Sequence, residues 1–376
     1  MSRKIKWIAT ILTAVAFLVF GRFLPDDELT ERGMAVGIGI DVADDGEYIV
    51  TAQMLSSNGN QTMGNGTRVV KAKGQSITEA IAKISEATGK TLTVTHCNVL
   101  LLGQSVVESE SFEYITYMML KSTYVNDNAY VLVCQENTYD VFNSKTGFGD
   151  NASIYIQSLI SRYGNYNTII YRALSQCAVG YYDKSGITFM PYLKKVPIAP
   201  KVPSSDEFDD QSPNDDYLFD MSSVAICKKG KLLGIFDTNA TKAINYILNE
   251  VDKGSEEFDL GEEKISLYVL RSKTKLEYGK DMKTVKADLK IGANVKSIEK
   301  ENGGYPLGLS VDSKRIKACE DTLKKQIESF FEKMQALGAD VFYLEQGFYS
   351  KYGNEIKNFN LKEVVFDLSV TINVEK

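Results

Sequence analysis

The chain has 376 residues, 44% apolar and 24% charged, proportions of an ordinary globular protein that argue against disorder of the chain as a whole. Its formal charge is −6, but the first 24 residues hold four of the 43 basic side chains and none of the 49 acidic ones, so the remainder carries −10. Such a body is repelled by phosphate backbones and anionic lipid, whose affinity rests on cationic patches, which disfavours nucleic acid as a partner.

Arg3, Lys4 and Lys6 precede an apolar run from Trp7 through Phe20, extended by Gly21, Phe23 and Leu24 and interrupted only by Arg22. A bilayer span needs about 20 apolar residues and a secretory signal fewer. Residues 1–25 are expected to be a membrane anchor or signal, the anchor favoured because the small pair Ala14 and Ala16 lies inside the run, not behind it. Either reading keeps the positive charges inside and puts the rest of the chain outside the cytoplasm. No cysteine precedes Cys97, so a lipid-modified N-terminal cysteine is ruled out.

Beyond Pro25, large residues (Met34, Val36, Ile38, Ile40, Val42) alternate with Ala35, Gly37, Gly39 and Asp41, which predicts a strand with one large and one small face. Asp44, Asp45 and Gly46 turn it into a second strand at 47–55. Residues 56–66, with two Asn-Gly steps, read as a loop. A short strand ends at Gly74, and Ser76 with Glu79 forms a capping box for a helix that stops at Gly89. Then come a strand at 91–102, a helix at 105–121, a strand at 129–134, helices at 153–162 and 168–177, and paired strands at 179–182 and 187–192.

Four of the seven prolines (Pro197, Pro200, Pro203, Pro213) and six carboxylates (Asp206, Glu207, Asp209, Asp210, Asp215, Asp216) make 197–217 a solvated linker. Past it we expect a hairpin at 221–236 and a helix at 238–251. Strict alternation at 265–269 and 285–295 predicts long antiparallel strands, followed by a helix at 313–337 ended by Gly338, a shorter helix near 341–357 and a closing strand at 364–374. The fold class is α+β in three domains with mixed or antiparallel sheets covered by helices. Its expected parts are 26–196, the linker, a small middle domain at 218–260 and a C-terminal antiparallel sheet with helices at 261–376.

Chemistry is sparse. The single histidine, His96, is expected on the strand at 91–102 on one face with Leu92, Val94 and Leu100, and Cys97 on the other, so the two do not form a nucleophile and base. Cys97, Cys134, Cys177, Cys227 and Cys319 read as buried free thiols. Gly37 and Gly39 lack the third glycine and helix of a dinucleotide site, and the close approach of another segment is their better use. Asp41, Asp44 and Asp45 resemble a calcium loop only faintly, because Ala43 takes a ligand position. Paired carboxylates for glycoside cleavage could be drawn from 49 acidic residues, and tyrosines at 163, 166, 171, 181 and 182 could line a binding surface or a core edge. No catalytic residue, cofactor, metal ligand or ligand-binding residue is assigned.

Three separated stretches, in order, resemble the Ger(x)C proteins, the C subunits of spore germinant receptors (GerAC- and GerBC-like). They are ELTERGMAVGIGID (28–41) with SITEAIAKIS and TLTVTHCNVLLLG; then SSVAICKKGKLLGIF with ISLYVLRSKTKLEY; then the long helix ending in LGADVF (337–342) and the terminal strand. Phe20, Gly21 and Arg22 stand where such proteins carry a lipid-modified cysteine, which supports an anchor, and TNATKAIN replaces the usual Glu and Gly of the middle-domain helix. The resemblance implies a three-domain, non-enzymatic subunit on the outer face of the spore inner membrane, partnered by membrane-embedded A- and B-type subunits in nutrient sensing. An anchored extracytoplasmic solute-binding protein, with a Tyr-lined cleft at the linker, is the alternative from a different class, and an envelope hydrolase the third.

Overall fold

The computed structural model describes residues 32–55, 66–121, 125–146, 149, 151–164, 166–198, 216–261, 263–300, 311–353 and 359–375, with residues 7, 13 and 15 singly. Strand β1 (Arg32–Val42) pairs antiparallel with β2 (Tyr48–Leu55), and β2 with β3 (Thr67–Gly74). On the other side of β1 lies a parallel run of β5 (Val99–Gly103) and β6 (Tyr130–Cys134). The sheet continues through β8 (Ile187–Pro197), β9 (Asp216–Lys228) and β10 (Lys231–Phe236) in the order β10-β9-β8-β6-β5-β1-β2-β3. Two short strands attach to it, β4 (Thr91–Thr93) to β1 and β7 (Lys145–Thr146) to β9.

The large face of β1 packs Ile38 and Ile40 under α1 (Ile77–Thr88), whose stripe Ile77, Ala80 and Ile84 is buried. Ser76 Oγ accepts the Glu79 N–H at 3.1 Å, and Gly89 ends the helix at φ 63°, both as the capping pattern predicts. The small face is covered by α4 (Thr138–Phe142) and α5 (Ala152–Tyr163). A Cβ at Gly37 would overlap Ser153 and Phe142, and one at Gly39 would overlap Thr138. That is the close approach the two glycines imply. A polar seam runs beneath them: Thr138 donates from N (3.1 Å) and Oγ1 (2.6 Å) to Asp41, and Ser153 donates from N (2.9 Å) and Oγ (2.6 Å) to Gln53. Burial pushes the Asp41 carboxyl up, against the lowering effect of the Thr138 bonds.

Five expectations are corrected. The strand at 91–102 is broken: Cys97 N–H closes a turn on the Val94 carbonyl at 3.0 Å, so His96 is exposed on that turn instead of lying on a strand face. The helix at 105–121 is two, α2 (Gln104–Glu108) and α3 (Phe112–Lys121), separated at Ser109. The segment 168–173 is not helical. Arg172 accepts Val131 N–H, and Leu174 N–H bonds Ala129, each at 2.9 Å, so α6 (Leu174–Tyr182) begins only there and contains the stretch expected as a strand. The expected linker is bridged: β8 and β9 pair antiparallel across it, so the hairpin of the middle segment extends the N-terminal sheet. Most of 197–217, and the loop expected at 56–66 except Gly66, fall outside the described residues.

The second sheet has the order β11-β12-β13-β14, with β11 (Gly254–Asp259), β12 (Glu263–Tyr278), β13 (Thr284–Lys300) and β14 (Val365–Val374). It is mixed and not antiparallel as expected, because the helical crossover after β13 brings β14 in parallel to it. The crossover between them is α8 (Ser313–Leu337), which buries Cys319, Leu323, Ile327, Phe330, Phe331 and Met334 against the sheet. Asp312 caps its start, Gly338 its end at φ 64°, and α9 (Leu344–Tyr352) follows. Helix α7 (Thr238–Ile247) lies between the two sheets, and one apolar cluster runs from Phe189, Val224 and Ile226 through α7 to β12, β13 and α8.

Replacing Gly39 by Val forces α4 off the sheet. Denaturant unfolding is expected to show a loss of about 1–3 kcal/mol, the usual cost of overpacking. An unchanged midpoint would contradict the contact with Thr138.

Candidate functional site

The most elaborate polar chemistry lies where the two sheets meet. Seven of the ten residues of α7 are buried, among them Asn245 and Tyr246. Asn245 Nδ2 donates to the carbonyls of Asn167 (3.2 Å) and Ile169 (2.8 Å), in the turn that precedes α6, where Ile169 N–H bonds the Tyr166 carbonyl. The Glu256 carboxylate on β11 then accepts Tyr246 OH at 2.7 Å, Asn167 Nδ2 at 2.6 Å and Lys242 Nζ at 2.8 Å. Burial first, then the Glu256 charge, hold the Tyr246 hydroxyl far above its ordinary pKa. The carboxylate, the phenol, the ammonium and both amide nitrogens are paired with one another or with backbone carbonyls and act as a joint, while the buried amide oxygens of Asn167 and Asn245 find no partner among the described residues.

Beside the joint opens a cleft of about 310 Å³, lined by Arg172, Val179 and Asp183 of the large-sheet lobe and by Glu250, Tyr343 and Gln346 of the other. The buried Arg172 donates to Glu250 at 3.0 Å and stacks on the Phe189 ring at 4.1 Å, and Phe189 in turn meets Tyr343 at 5.9 Å. Tyr343 adopts φ 53°, and burial pushes its hydroxyl up to about 12. Three residues before it, Asp340 caps α9 by accepting the N–H groups of Leu344 (2.9 Å) and Glu345 (2.8 Å). Burial raises its carboxyl from 3.8 to about 6, against those two bonds and with the help of the Glu345 and Asp183 charges.

The residues singled out from sequence do not converge here. Cys97 is buried with its thiol pushed up to about 12, donating to the Val99 carbonyl at 3.1 Å, while His96 is exposed. All five cysteines are free and buried, as read from the sequence, and burial raises every thiol away from the reactive thiolate. Asp44, Asp45 and Gly46 form a turn, Gly46 at φ 83°. The tyrosines form separate pairs: Tyr163 with Tyr166, Tyr171 with Tyr130, and Tyr181 with Tyr182. Among the described residues no three His, Cys, Asp or Glu side chains are placed to hold a metal, and no helix is long and apolar enough to cross a membrane. The anchor expected over 1–25 lies outside the described residues apart from Trp7, Thr13 and Val15. The joint and the cleft have no local signal in the sequence because Asn167 and Arg172, Glu250 and Glu256, and Tyr343 come from three segments far apart in the chain.

Two mixed sheets locked through a buried polar helix define a class of two-lobed α+β proteins, and comparison places this chain among the germination proteins. Residues 26–195 match the family "Spore germination protein N-terminal domain", and residues 222–376 match "Spore germination B3/GerAC like, C-terminal". The chain thus belongs to the Ger(x)C family. The spore germination protein KC of Bacillus subtilis strain 168 is 25% identical over 118 residues, an alignment spanning 29% of each chain. The crystal structure of the GerBC protein shares the fold, with a TM-score of 0.56 over 90% of this chain and 97% of that one at 14% identity.

Between about pH 4 and 6 the folded chain keeps the Asp340 proton that the unfolded chain has released. The stability contributed by this group is therefore full at low pH and falls as the pH rises through that window. Relative to Asp340→Asn, the wild type is expected to lose about 2–3 kcal/mol between pH 4 and 7. A difference that stays flat across the range would show that Asp340 ionises normally.

Proposed function

We propose that this chain is the C-type subunit of a spore germinant receptor. It is a non-enzymatic body held on the outer face of the spore inner membrane by residues 1–25, acting through contacts with A- and B-type membrane subunits. The observation that carries the proposal is the match of residues 26–195 and 222–376 to the N- and C-terminal domains of germination proteins, in that order along the chain. The basic head and apolar run at the N-terminus and the acidic remainder fit a body exported and tethered. A subunit of this kind biases a membrane partner only through contacts that differ between the partner's states, and two lobes sharing one apolar cluster present a stiff surface for that task.

One observation favours a second reading, an anchored solute-binding protein: the cleft of about 310 Å³ beside Arg172, at the small end of the range for small-molecule sites. Val179→Trp would fill it. Receptor assembly predicts unchanged recovery of membrane partners with this variant, whereas solute binding predicts loss of any ligand-induced rise in Tm.

Affinity capture of the full-length chain, gently solubilised from membranes of its sporulating host, is expected to bring down a multi-spanning membrane protein in constant proportion. Repeated recovery of the chain alone, from membranes that hold it abundantly, would refute the subunit role.

A further inference from the structure

Away from the joint, a groove of about 550 Å³ separates the end of β10 from α8. Its floor is aromatic, Phe236 and Phe330 meeting edge to face at 6.0 Å, and Ile235 on its rim is exposed. Lys325, Ser329 and Lys333 line its helical wall. Being four residues apart, they share one face of α8, and the two ammonium groups stand on stems about 12 Å apart along the axis. All three are exposed, and none of the ion pairs among the described residues uses Lys325 or Lys333, although their neighbour Lys324 meets Glu328 at 3.6 Å. Asp237, on the opposite wall, is occupied in capping α7 through the Ala240 N–H at 3.2 Å. The groove is thus a cationic, apolar-floored spot on an otherwise acidic body.

The second wall is the last strand of the ten-stranded sheet. Among the described residues β10 pairs with β9 alone, so its far edge presents backbone N–H and C=O groups without a strand partner there. A lipid headgroup or a small anion could use the lysines, but only a polypeptide can use a strand edge, a lysine row and an aromatic floor together.

We propose that this groove receives an acidic, extended segment of a partner protein. It adds alongside β10, sets an apolar side chain on Phe236 and Phe330, and places carboxylates on Lys325 and Lys333. The assignment rests on the groove itself and stands apart from the receptor reading.

The test is fluorescence anisotropy with the full chain in detergent micelles and a labelled, acetylated peptide Glu-Glu-Val-Phe-Val-Glu-Glu. Saturable binding is expected, with none for the version carrying Lys in place of Glu and none for the version carrying Asp in place of Phe. The double variant Lys325→Glu/Lys333→Glu should bind at least about tenfold more weakly, a loss in the range of paired interface charges. Lys325→Arg/Lys333→Arg should bind as the wild type does, and Lys264→Glu/Lys273→Glu on β12 should change nothing. Because positions 325 and 333 are exposed, circular dichroism should show all variants folded. Absence of saturable binding, equal binding by the charge-reversed variant, or binding indifferent to the central Phe would each overturn the proposal. Binding that appears only after residues 199–215 are deleted would also overturn it, by showing that the chain's own acidic stretch takes the groove.

Discussion

Everything in this molecule depends on α7 being able to lie buried between two sheets. A helix enclosed on nearly all sides leaves its polar side chains no water, and an unpaired one costs about 1–3 kcal/mol. Tyr246 and the amide nitrogen of Asn245 avoid that cost because the Glu256 carboxylate and the turn at Asn167–Ile169 arrive at the right places, while Asn245 Oδ1 stays buried without a partner among the described residues. Those partners come from the large-sheet lobe and from the first strand of the small sheet, so satisfying α7 fixes the mutual position of both. Lys242 completes the arrangement by neutralising Glu256 at 2.8 Å, since a lone buried carboxylate would be far more costly than the pair.

The same logic explains why the lobes are not separable at the proline-rich segment. β8 and β9 are hydrogen-bonded neighbours on either side of it, and the apolar side chains of Phe189, Val224 and Ile226 face α7 and the second sheet. Further ties span the seam: Arg172 with Glu250 at 3.0 Å, Lys228 with the Gly338 carbonyl at 2.8 Å, and Lys184 over the Tyr349 ring at 4.0 Å. Each is modest alone, and exposed pairs contribute little. Together with the common core they make a continuous body suited to passing a contact at one lobe to the other.

Much of this was legible in the sequence where period and punctuation agreed. The alternation of β1 from Gly37 on, the capping of α1 by Ser76 and Glu79, the stripe of α8 and the Gly338 stop all encode local geometry and fell where expected, whereas a register shift at Ala35–Gly37 puts Ala35, not Met34 or Val36, in the core with Ile38 and Ile40. The small face of β1 even announced a close neighbour, though not that α4 would supply it. Failures came where long-range hydrogen bonds overrode local pattern. Residues 168–173 have helical spacing, but Ile169 N–H closes a turn on the Tyr166 carbonyl and Arg172 to Leu174 bond to β6 and the residue before it, and the turn at Val94–Cys97 cuts an apolar run that reads as one strand. The joint was invisible for a deeper reason: Asn167, Lys242, Tyr246 and Glu256 are unremarkable singly, and only the topology brings them to one carboxylate.

The central structural claim is that the two sheets form a single cooperative body through α7. Hydrogen exchange of the full chain, followed by mass spectrometry under conditions where reclosing outpaces exchange, tests it directly. The account predicts that the slowest amides of β1, β5 and β6 and those of β12 and β13 open with the same free energy, and that Glu256→Leu lowers both together. Exchange of the small sheet through a separate, cheaper opening, with the ten-stranded sheet still protected, would contradict it.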